Sequence, residues 1–121
     1  MFDQIEGYRA LRIARTEVNH AFTEARYEHS KDVRDRLGLE VKAMHVSALV
    51  DSTRPNHAAR HGKIYTLEDQ RTWWSEGSNL ISCLCSTVEV VFIDGEPTQE
   101  KMIERQRKRG EQYFSMHPEK A

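Results

Sequence analysis

Apolar residues in the first third of the chain recur at steps of three and four. Ile5, Tyr8, Leu11, Ala14, Val18, Ala21, Phe22 and Ala25 fall on one side of a helix drawn from Asp3 to Leu37. Arg9, Arg12, Glu24, Glu28 and Lys31 take the opposite side, and Gly38 follows as a left-handed stop. The period then changes to two. Between Val41 and Val50, Met44, Val46, Ala48 and Val50 alternate with Ala43, His45, Ser47 and Leu49, which predicts a strand. Pro55 is suited to open a short helix carrying His57 to His61, closed by Gly62. Lys63 to Tyr65 reads as a brief strand, and Thr66 as the cap of a turn containing Glu68 and Asp69.

Leu84 to Ile93 is the segment richest in β-forming residues. Its alternation puts Leu84, Val88, Val90 and Phe92 on one face and Cys83, Cys85, Thr87 and Glu89 on the other. Asp94-Gly95-Glu96-Pro97 ends it, and Thr98 with Lys101, Met102 and Ile103 starts a polar C-terminal helix. These elements predict an α+β fold: a long N-terminal helix packed on a small antiparallel sheet of residues 41–50, 63–65 and 84–93, with a C-terminal helix. Residues 1–95 are expected to form the domain, and 96–121 a polar helix and loose tail.

Composition narrows the class. With 121 residues the chain suits one core, because halving it would leave each part too small to offset its chain entropy. A hydrophobic share of 38%, a charged share of 31% and a formal net charge of -1 give no global attraction to nucleic acid or anionic lipid. No apolar run reaches membrane-spanning length, and Met1-Phe2-Asp3-Gln4 lacks a secretory pattern, so a soluble intracellular protein is expected, with no membrane partner and no small-molecule substrate. Cys83 and Cys85 are too close along an extended chain to bridge easily, which leaves them as thiols or metal ligands.

Chemically capable side chains are dense only from Asp51 to Gly62 and at the cysteine pair. His57 and His61 are four residues apart and share one side of a helix, so zinc could take both imidazoles with the thiolates of Cys83 and Cys85. The simpler reading makes the cysteines small buried residues and His57 a donor in a polar network. Arg15 and Glu17 could join Asp51 and Arg54 in that network, since an Arg fork pairs well with a carboxylate and would lock helix to loop. A sharper alternative uses His57 as general acid or base with Arg15 or Arg54 as phosphate clamp, in a small metal-independent nuclease or toxin. A zinc-binding adaptor is a third. Lys101, Arg105, Arg107, Lys108 and Arg109 form a local positive patch that could contact phosphates. His20, His29 and His117 read as surface residues; of Trp73 and Trp74, one is expected in the core and one as a contact for another protein.

The order of these features resembles the head morphogenesis domain of phage Mu F-like minor head proteins. The resemblance rests on Ala14-Arg15-Thr16-Glu17 in the long helix, Asp51-x-x-Arg54-x-x-His57 running to Gly62, and Cys83-x-Cys85 before the last strand. It covers roughly residues 8–93 and departs where Asn79-Leu80-Ile81-Ser82 precedes the cysteines and Leu84 separates them. It implies a non-enzymatic role in head assembly near the portal vertex. Its partners would be the portal, other head proteins and packaged DNA, first in the host cytoplasm and then inside the virion.

Overall fold

The computed structural model of the protein describes residues 2–77, 79 and 85–120, with side chains from residue 7. The first helix, α1 (Phe2–Leu37), ends where expected, at Gly38 with φ +66°. It is followed by β1 (Glu40–Val46), α2 (Pro55–Arg60), β2 (Ile64–Tyr65), α3 (Leu67–Ser75), β3 (Ser86–Ile93), β4 (Glu96–Pro97) and α4 (Glu100–Met116), with a final 3-10 turn at Pro118–Lys120. The four strands form one antiparallel sheet in the order β2-β1-β3-β4, so the α+β expectation holds. Among the described residues no helix is long and apolar enough to cross a membrane.

Central β1 is covered on both faces. Val41 and Ala43 point to one side, where Tyr27 and Val33 of α1 and Leu67 of α3 close over them. Met44 points to the other, where it meets Val90 of β3 and Ile103 of α4. Helix α4, the expected C-terminal helix, therefore packs on the same core as the sheet. Its end also holds the loop before α2: the Tyr113 hydroxyl donates to the Val50 carbonyl at 3.0 Å, Lys120 Nζ donates to the Asp51 and Thr53 carbonyls, and His117 pairs with Asp51 at 3.3 Å.

Two boundaries differ from the sequence pattern. Alternation continues to Val50, but β1 stops at Val46, because Leu49 takes φ +55° and turns the chain toward α2. Strand β3 begins at Ser86, and Leu84 and Cys83 lie outside the described residues. Thr66 caps a full helix, α3, by accepting from the Asp69 N–H at 3.1 Å. The Asp94-Gly95 pair, both at positive φ, makes a tight hairpin from β3 to β4. Because β4 is short, Gln99 covers the edge of β3 beyond it, accepting from the Val91 N–H and donating to the Glu89 carbonyl.

Helix α1 corrects a larger expectation. The face that packs on the body carries Tyr27, Ser30 and Val33, tied down by Arg34 to Glu68 at 2.7 Å, Arg71 to Glu24 at 3.2 Å and Arg26 to the Thr87 carbonyl at 2.7 Å. The apolar stripe from Tyr8 to Phe22 does not cover the sheet. Tyr8, Leu11, Val18 and Phe22 are each more than half exposed.

Candidate functional site

At the end of β1 that leads into α2, the two sequence regions singled out for chemistry meet. His45 and Ser47 lie on the same side of β1, and His45 pairs in register with Thr87 of β3. From α2, His57 reaches the same place: its Nδ1 lies 3.5 Å from Cys85 Sγ. Cys85 Sγ is 3.4 Å from Ser47 Oγ, which donates to the His57 carbonyl at 2.7 Å. One assignment is consistent with all three contacts: His57 Nδ1–H to sulfur, S–H to Ser47 Oγ, and Ser47 O–H back to the His57 carbonyl. This closed ring joins the start of α2 to both long strands.

Beside it, Gln70 of α3 is the hub of a second network. Its amide nitrogen donates to His45 Nδ1 and to Thr87 Oγ1, each at 3.0 Å, and its oxygen accepts from Arg60 Nη2 at 2.7 Å. Trp74 Nε1 adds a contact to Thr87 Oγ1 at 3.3 Å. The Arg60 guanidinium lies between rings, 3.8 Å from the centroid of Tyr65 and 4.3 Å from that of Trp73. Burial pulls its pKa below the ordinary arginine value. His45 is flanked by Trp73 and Trp74, at centroid distances of 5.0 and 5.4 Å; Trp74 is buried and Trp73 half-buried.

His61 faces the other layer. Its Nδ1 accepts from the Ser47 N–H at 3.0 Å and its Nε2 donates to the Gln106 carbonyl at 2.7 Å, which fixes a neutral tautomer bridging β1 and α4. Gly62, at φ +75°, and Gly110 let α4 approach: a Cβ on Gly110 would sit 3.1 Å from His61 Cδ2, and Arg107 Nε donates to the Gly62 carbonyl at 3.1 Å. With its ring held at both nitrogens, His61 has no room to yield. Gly110→Val should therefore lower stability by about 2 kcal/mol in urea unfolding. Gly110→Ala should change it little, because a gain of about 1 kcal/mol in helix propensity opposes the contact.

His57 is 2% exposed and His61 8% exposed, and the pKa of each lies below the ordinary histidine value, with burial as the main cause. For His57 the nearby Arg54 charge pushes the same way, against the opposing contact with Cys85.

The structure thus brings together His57, Cys85 and, through Ser47, His61. Arg15 and Glu17 are exposed on the upstream part of α1, and neither takes part in an ion pair among the described residues. Asp51 turns outward to His117 rather than to α1. The zinc set fares similarly. Among the described residues no three His, Cys, Asp or Glu are grouped to hold a metal, His61 has both nitrogens engaged elsewhere, and Cys83 lies outside the described residues. With both nitrogens engaged, His61 as arranged is not available as a ligand.

The cations of α4 divide. Lys101, Arg105, Lys108 and Arg109 are exposed, with Lys108 paired to Glu104 at 3.1 Å, whereas Arg107 is clipped to Gly62. Sequence reasoning missed Gln70, Ser47, Thr87 and Arg60. For Ser47 and Thr87 a signal existed, since both fall on the strand faces that carry His45 and Cys85.

Comparison with curated proteins and with solved structures returned no match. The family described as Phage Mu protein F like protein matches over residues 1–88, from the start of α1 into β3, and so spans both networks and the helix that packs on them. That match covers well over half of the chain, which therefore belongs to the phage Mu F-like family, whose role is the morphogenesis of phage heads.

Proposed function

We propose that the protein is a minor head protein that acts by binding, near the portal vertex, and that the outer face of α4 contacts packaged DNA. The single observation that carries the binding reading is the enclosure of its histidines. His45, His57 and His61 are at most 8% exposed and engage β1, α2, α3 and α4 with one another, as expected of groups that hold a scaffold rigid. A general acid or base needs hydrogen-bond reach to a substrate atom, and Arg15, one of the two phosphate clamps weighed for a nuclease, stands on the exposed upstream part of α1. On this reading the portal and other head proteins are the partners, zinc is not required, and the protein passes from the host cytoplasm to the virion interior.

The DNA contact rests on Lys101, Arg105, Lys108 and Arg109 sharing the solvent side of α4, opposite buried Ile103, Gly110 and Tyr113. Changing all four to alanine should leave folding intact and weaken duplex DNA binding, with the slope of log affinity against log salt falling by about 3–4. The polypeptide should appear in purified virions, at one vertex by immunolabelling, and should leave RNA and DNA uncut. Cleavage that disappears in His57→Ala would replace this reading with the nuclease one.

A further inference from the structure

The exposed part of α1 carries a pattern that its own body does not use. Gly7, Leu11, Ala14, Val18, Ala21 and Ala25 follow one another at steps of four and three, the seam spacing of a two-helix coiled coil. Tyr8, Arg15 and Phe22 line one flank of this seam, and Glu17 and Glu24 the other, where Glu24 is already paired with Arg71 of the body. The body packs against Tyr27, Ser30 and Val33, on a different side of the helix, so the seam faces solvent over roughly 27 Å. Tyr8 is 74% exposed, Leu11 57%, Val18 52% and Phe22 65%.

We propose that this seam is closed by a second copy of the same chain, running antiparallel, with the two-fold axis level with Thr16. Side-chain size selects this arrangement. In that register Leu11 meets Ala21 of the second copy, Val18 meets Ala14, and Ala25 meets Gly7, so every larger residue faces a small one. Tyr8 and Phe22 of the two copies come together on one flank. A parallel pair would instead stack Gly7, Ala14 and Ala21 on themselves and leave gaps between the Leu11 and Val18 layers. Like charges do face each other at the axis, Arg15 to Arg15 and Glu17 to Glu17, but such exposed pairs are weak beside the burial of four large side chains per copy.

The area is sufficient for a modest dimer. Aromatic side chains bury about 150–250 Å² each. Tyr8 and Phe22 with Leu11 and Val18 therefore bring each copy to the order of 500 Å², half of the roughly 1,000 Å² that a specific interface requires. In this register the two bodies lie at opposite ends of the paired helices.

Sedimentation equilibrium on the full chain should show a dimer that dissociates on dilution. Leu11→Asp and Val18→Asp should each weaken association at least tenfold while leaving the circular dichroism and melting of the body unchanged, because both sites are exposed in one copy. A wild-type chain that stays monomeric up to several hundred micromolar, or a dimer indifferent to both substitutions, overturns the proposal. Orientation is read separately. Under mild oxidation, Ala14→Cys mixed with Val18→Cys should give a 14-to-18 cross-link, mapped by digestion and mass spectrometry. A cross-link of Ala14→Cys to itself would establish the parallel pair and overturn the register.

Discussion

Replacing Gln70 with leucine is expected to destabilise the protein by about 3–5 kcal/mol in urea unfolding, one of the largest effects of any single polar substitution here. One amide side chain serves three groups, His45 buried and Thr87 and Arg60 half-buried: it donates to His45 Nδ1 and Thr87 Oγ1 and accepts from Arg60 Nη2. Leucine fills a similar volume, so little cavity opens and the cost comes from the stranded partners. Each buried polar group left without a bond costs about 1–3 kcal/mol, more when it is charged. Thr87 keeps its contact with Trp74, so Arg60 and His45 carry most of the loss. Trp73 and Trp74 pack directly on these residues, and their fluorescence reports the same transition. A loss below about 1 kcal/mol would mean that solvent reaches Arg60 and His45 in the native state, and the buried-hub account would fail.

Mild acid is expected to weaken the fold through His57 and His61. Both pKa values are lowered by burial in the folded state, so the unfolded chain takes up protons first as pH falls below the ordinary value of 6.5. Each imidazole that stays neutral only in the native state removes about 1.4 kcal/mol of stability per pH unit below that point, until its own folded-state pKa is reached. Stability should therefore be flat above about pH 7 and fall below pH 6.5, by at most about 2–3 kcal/mol per unit when both contribute. His61 has a direct structural reason to resist protonation: a proton on Nδ1 would face the Ser47 N–H that now donates to it. His61→Gln removes one of the two groups and should roughly halve the acid slope. Glu68 does not confuse this window, because Arg34 holds it below its ordinary 4.5 and its loss begins only in stronger acid. Unchanged stability from pH 7 to pH 5 would contradict the assigned tautomers.

These two effects arise from residues that were unequally legible in the chain. His57 stood out through its place after Pro55, and Cys85 through its place before a valine-rich strand; the structure puts them 3.5 Å apart. Gln70 gave no such sign, because nothing local distinguishes it from other polar residues of a short helix. Its role exists only because α3 crosses the face of β1 that carries His45. His61 carried the right residue type at the right spacing for a ligand pair, yet α4 claims it through Gln106, a residue 45 positions later.

What the sequence determined by itself is the set of elements and the local rules that bound them. Gly38 ends α1, Pro55 opens α2, Thr66 caps α3 and Asp94-Gly95 turns β3, since each depends on backbone preferences within a few residues. Tertiary structure alone decided which helical face is buried, where β1 stops and which polar groups meet. The stripe from Tyr8 to Phe22 and the packed face at Tyr27, Ser30 and Val33 both satisfy a helical period, and periodicity cannot rank two faces of one helix. Sheet register and the crossing of α3 and α4 made that choice, by bringing residues tens of positions apart within bonding distance and leaving the upstream stripe in water.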